Sequence, residues 1–203
     1  MKRYIFTIVF ILSFKMNYSQ NLSYGPLLGL NVYNIEVEGP IGATGGLSKF
    51  NFGGYIDYKL SNHFGVKSNL IYSKAIEKDY YVGNGSLGAN YFIENAEVQT
   101  LQLQGLLKYD VRNDYSKGFY FVSGLRVSHL LKAEENSENI DDFYKKNNFG
   151  LLLGFGVNFA KHIGIEILPE YYISDTIESK ENKSKNYGVY ANLLINLESI
   201  INK

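Results

Sequence analysis

Nine charged residues interrupt runs that are apolar at every second position: Asp57, Lys59, Lys67, Lys108, Asp110, Arg112, Arg126, Glu166 and Glu170. Four are acids and five are bases, so they read as a nearly balanced interior network in which each charge held away from water has an opposite charge beside it. Its expected role is structural, a plug of ion pairs rather than a path for protons. Other groups that could do chemistry are weaker. Gly83-Asn84-Gly85-Ser86-Leu87-Gly88 matches G-x-G-x-x-G, but a dinucleotide site needs a following helix whose N-terminus holds the pyrophosphate. Here a polar stretch follows, and the motif reads as a loop. Ser128 and His129 could begin a hydrolytic triad, yet strand neighbours point to opposite faces. Glu134, Glu135, Glu138, Asp141 and Asp142 lack EF-hand spacing and read as a solvated loop. With no cysteine and only His63, His129 and His162, thiol chemistry, disulfides and Cys/His metal centres are not expected. No catalytic, cofactor-binding or metal-binding residue is assigned, and no cofactor.

The elements that must carry these charges are strands. Phe50, Phe52, Ile56, Tyr58 and Leu60 share one parity, and Asn51, Gly53, Asp57 and Lys59 the other, the period of a strand with unlike faces. The alternation recurs near residues 24–35, 64–73, 101–112, 119–132, 149–159, 163–174 and 187–197, which makes eight strands. Eighteen Tyr, 13 Phe and 20 Gly beside three Pro agree with an all-β chain. The connections at 61–63, 113–117 and 161–162 are short, and those at 37–48, 77–97, 133–146 and 175–185 are long. Such alternation describes an antiparallel transmembrane β-barrel with short periplasmic turns and long extracellular loops, the apolar parity facing lipid. The inverted arrangement, charges outside and apolar residues within, would be a soluble lipocalin-like carrier. Glycine discriminates between them: Gly53, Gly65, Gly124, Gly150, Gly154, Gly156, Gly164 and Gly188 sit with the charged set, where a crowded interior needs room. Tyr58, Tyr72, Tyr109, Tyr171 and Tyr187 fit an aromatic girdle. Eight strands enclose an interior filled by side chains, so no open channel is expected. Pro169 falls inside a strand and calls for a bulge or kink. A turn centred on Asn62 sets Asp57 opposite Lys67, and a salt bridge between them is expected.

Residues 1–19 have a basic start, Lys2-Arg3, and an apolar run closed by Lys15, the pattern of a signal peptide that leaves a barrel domain at 20–203. Its removal takes three of 20 bases from a chain with 20 acids, a net of about minus three, which argues against a nucleic-acid partner.

The chain resembles the PorT-type, porin-like outer-membrane β-barrel family of Gram-negative bacteria. The resemblance rests on the signal peptide, Gly25-Pro26-Leu27-Leu28-Gly29-Leu30-Asn31, the stretch Phe52-Gly53-Gly54-Tyr55-Ile56-Asp57-Tyr58-Lys59-Leu60 with its short turn, and the run from Gly150 to Asn158. It implies location in the cell outer membrane, contact with outer-membrane lipid, insertion by the barrel-assembly machinery and no catalytic residues. One feature departs from it: such barrels finish on an aromatic used in assembly, whereas this sequence finishes Ile200-Ile201-Asn202-Lys203. The expected function is structural, adhesive or docking, through extracellular loops that could meet a protein partner. A soluble periplasmic carrier of an apolar ligand and a membrane-embedded lipid-modifying enzyme are the alternatives.

Overall fold

A computed structural model describes residues 21–37, 44–84, 89–160, 162–177 and 184–201. The expected signal peptide and residues 85–88 of the glycine motif lie outside them. The strands are β1 (Leu22–Val37), β2 (Thr44–Lys59), β3 (Phe64–Asn84), β4 (Ala89–Asp110), β5 (Gly118–Glu135), β6 (Glu138–Asn139), β7 (Asn147–Ala160), β8 (Ile163–Tyr172) and β9 (Ser184–Ile195). Every pairing between them is antiparallel. Each wall strand pairs with its sequence neighbour, β5 with β7, and β1 with β9, which closes the ring. β6 is a two-residue addition on β5, so eight strands build the wall, as the alternation required. A closed ring leaves no edge, the condition for a sheet to cross a bilayer with every backbone group paired.

The faces follow the parity. Leu103, Leu107, Phe121, Leu125, Leu151 and Leu153 point outward and are exposed, while Gln102, Gln104, Lys108, Arg126 and Glu166 are buried within. This direction excludes the soluble-carrier arrangement, because an apolar ligand would find a charged and tyrosine-filled interior. Glycines of the inner parity make room for that filling: a Cβ on Gly65 would overlap the Tyr115 ring, and one on Gly156 the Tyr120 ring.

The expected long loops prove to be strand in part. β3 and β4 stay paired from Phe64↔Tyr109 to Asn84↔Ala89, through most of the 77–97 connection. Roughly 9–11 residues suffice to cross the membrane, so the hairpin continues well outside it. There neither face meets lipid and the apolar alternation stops, which hides the strand from a periodicity reading. A register shift between Gln99 and Thr100 on β4 leaves one extra residue on β5; Leu131 and Lys132 are both exposed while Leu130 and Ala133 are buried. Of the bulge or kink expected at Pro169, the bulge is absent. The β7–β8 ladder has the same register at Leu152↔Glu170 and Phe155↔Ile167 and lapses between them, where proline has no N–H to give.

Candidate functional site

The lumen has a lower part near the periplasmic turns and an upper part near the loops. In the lower part, Lys67 of β3 pairs directly with Glu166 of β8, both fully buried, and the Tyr120 hydroxyl donates to the same carboxylate at 3.1 Å. Lys108 of β4 donates to Asp57 at 2.8 Å and to Ser116 at 3.0 Å, and lies 3.4 Å from Asp110. Its ammonium sits 4.4 and 4.5 Å from the ring centroids of Tyr115 and Tyr120, where cation–π attraction adds to the ion pairs. Tyr115, from the β4–β5 turn, reaches up into the barrel and donates to Asp57. Burial, with the negative charge of Asp57 next, raises the pKa of this phenol above its ordinary value. Higher in the lumen Arg126 pairs with Glu170, donates to Asn148 at 2.7 Å and lies 4.4 Å over the Tyr172 ring.

Asp57, Lys67, Lys108, Asp110, Arg126, Glu166 and Glu170 are therefore brought together as buried side chains. Lys59 and Arg112 are not. Lys59 ends β2 and is only half-buried, and Arg112 lies beyond the end of β4 and is exposed. The parity that placed them inside does not continue past the strand ends. Asp57 and Lys67 do stand opposite each other across β2 and β3, but the expected salt bridge between them is absent. Each reaches elsewhere, Lys67 to the far wall and Asp57 to β4, because an eight-stranded barrel is narrow enough for side chains to meet across it.

The upper part contains groups that charge patterning missed. Glu77, buried at the end of the wall, accepts hydroxyl donors from Tyr33 at 2.5 Å and Tyr144 at 2.9 Å. Glu135 accepts the backbone N–H groups of Glu94 and Asn95 at 2.7 and 3.0 Å. Asp141 accepts that of Ala133 at 2.6 Å. Around them Ile35, Ile93, Leu130, Ala133, Ile140 and Ile177 form an apolar cluster, so the segment from β5 to β7 is folded down over the mouth. Tyrosines on the polar parity were the available signal, since a buried hydroxyl asks for an acceptor. The loop acids expected to be solvated are thus partly structural. Among the described residues no three metal-ligating side chains converge. Ser128 is buried while His129 is exposed and contacts Asn147 at 2.8 Å, which separates the candidate hydrolytic pair.

Space in the lumen is scarce. Cavities of about 30 and 20 Å³ lie in its upper and lower parts, little more than one water each. A much larger cavity, about 720 Å³, opens at the periplasmic mouth beside Lys59, Arg112 and the β4–β5 turn.

A closed, lipid-facing antiparallel barrel around a packed polar lumen defines an outer-membrane β-barrel protein. The chain belongs to the outer membrane protein beta-barrel domain family, whose model matches residues 18–178. The protein is located in the outer membrane. No curated protein sequence matches it. Among solved structures it is similar to Neisserial surface protein A, with 9% identity and a TM-score of 0.54, covering 85% of this chain and 97% of that one. It is also similar to Ail, the attachment invasion locus protein of Yersinia pestis, solved in complex with the heparin analogue sucrose octasulfate. That match has 11% identity and a TM-score of 0.51, and covers 87% of this chain and 99% of Ail. At such identities the likeness is one of fold.

Proposed function

We propose that this protein is a non-catalytic barrel whose working surface is its extracellular end, where it serves adhesion or docking, the remainder being structural. One observation carries the reading. The wall stops at Gly46↔Glu77 on one side of the β3–β4 hairpin and at Ala96↔Glu135 on the other, yet the hairpin continues to Asn84↔Ala89 as a two-stranded ribbon. Beyond Ile93, which is packed in the apolar cluster, the ribbon contributes nothing to closing the barrel. A packed lumen supports the same reading, since it offers no passage for a solute. Under this proposal the partners are outer-membrane lipid, the barrel-assembly machinery during insertion, and a protein met by the loops. PorT-type, porin-like membership, read from the opening Gly25 to Asn31 segment and the second strand, belongs to the proposal too.

The test is to replace residues 81–92 by Asn-Gly, a two-residue turn that suits the remaining Tyr80↔Ile93 pair and keeps Ile93 in the apolar cluster and the Glu94 and Asn95 N–H groups on Glu135. Cells displaying the variant should retain a barrel that migrates differently on a gel before and after boiling, and should lose attachment to protein-coated surfaces. Undiminished attachment by a correctly folded variant would sink the proposal.

A further inference from the structure

The described salt bridges engage Lys67, Lys108 and Arg126 in the lumen and Lys74, Lys117, Lys132, Lys145 and Lys146 outside it. Lys59 and Arg112 take part in none of them, and both line the cavity of about 720 Å³ at the periplasmic mouth. They reach it from different elements, Lys59 from the end of β2 and Arg112 from the β4–β5 turn. Arg112 is laid across that turn: its Cδ and Nε lie 3.4 and 3.5 Å from where a Cβ on Gly118 would stand, and Gly118 has a φ of +89°. A larger residue there would be strained and would crowd the guanidinium stem.

From this convergence we propose that the periplasmic mouth is a binding site for a phosphate-type oxyanion, held between Lys59 and Arg112. Ser23, Asn158 and Asn196 line the same cavity and supply neutral hydrogen-bond donors. The opposing charge is limited. Asp114 is tied to Lys117 at 2.7 Å, which leaves Glu198 as the other acid of the lining, outweighed by two cations. The floor is closed by Tyr115 and Ser116 over Asp57, whose carboxylate already accepts from Lys108. An anion therefore stops in the mouth: deeper entry would bring it against Asp57 and would require displacing the turn. Arginine's fork suits two oxygens of one phosphate, and lysine adds a point charge. The phosphate could be that of a free periplasmic solute or that of a phospholipid headgroup in the inner leaflet at the rim.

Pyrophosphate titrated calorimetrically into the full barrel in maltoside detergent micelles, which carry no phosphate of their own, is the probe. Binding should be seen, should weaken as salt is raised because the mouth is wet, and should fall at least tenfold in Lys59→Gln and in Arg112→Gln. Lys132→Gln, on the outer side of the wall, should bind as the wild type does. Bilayer discs containing phosphatidylglycerol separate the sources. Lost pyrophosphate binding there assigns the site to the lipid headgroup, and unchanged binding assigns it to a solute. The proposal is overturned if pyrophosphate does not bind in maltoside micelles, or if both glutamine variants, shown folded by their unboiled gel mobility, bind it as tightly as the wild type.

Discussion

The two parts of the lumen solve one problem with different chemistry. Both bury carboxylates. In the lower part Asp57 and Glu166 are matched by ammonium groups, whereas in the upper part Glu77 and Glu135 meet tyrosine hydroxyls and backbone N–H groups. The difference follows the surroundings. The lower part lies within the lipid-covered wall, where the backbone N–H groups beside Asp57 and Glu166 belong to the ladder and side chains neutralise both carboxylates. Only at the turn does a backbone N–H, that of Ser116, reach Asp110, at 3.1 Å. At the upper end strand pairing runs out and leaves amides free to donate, as Glu94 and Asn95 do to Glu135. A charge in a barrel is therefore held by whatever donors the sheet has not used.

The sharpest way to break this comparison is to remove one member of a lower pair. Lys67→Met would leave Glu166 buried with only Tyr120 as donor, and should cost about 3–5 kcal/mol in urea unfolding from lipid vesicles. Lys67→Met combined with Glu166→Met should cost clearly less, because no uncompensated charge remains. Equal losses would show that charge matching does not organise the lower lumen.

Glu77→Gln keeps an acceptor for Tyr33 and Tyr144 but removes the charge that strengthens both bonds, and should cost about 1–2 kcal/mol. Its effect should stay local. Hydrogen exchange should accelerate in the segment from β5 to β7 and remain unchanged in the β7–β8 ladder; acceleration throughout the wall would mean that the two parts are not independent.

The smallest effect concerns the turn that closes the floor. Because the Tyr115 pKa is raised in the folded barrel, the phenol stays protonated there after the unfolded chain has begun to ionise near pH 10. The stabilisation it contributes is fully present below that pH and declines as pH rises further. Tyr115→Phe should make the alkaline decline shallower by up to about 1.4 kcal/mol per pH unit. An unchanged slope would mean that the phenol is not buried against Asp57.

What the sequence determined by itself is whatever lipid enforces. Bilayer contact demands an apolar residue at every second position, and that demand wrote eight strands, their inward and outward faces, the Asp57↔Lys67 register and the buried places of Asp57, Lys67, Lys108, Asp110, Arg126, Glu166 and Glu170. Where lipid is absent the pattern is absent too. The upper half of the β3–β4 hairpin, the cap around Ile140 and Tyr144, and the places of Lys59 at the last position of β2 and Arg112 past the end of β4 were therefore not legible. Pairing partners inside the lumen belonged to the tertiary structure as well. Alternation says which way a side chain points, but not which of the seven other wall strands it meets across a narrow barrel. Lys67 has Asp57 as its neighbour on the ladder and Glu166 as its partner in space, and only closure of the ring brings the second within reach.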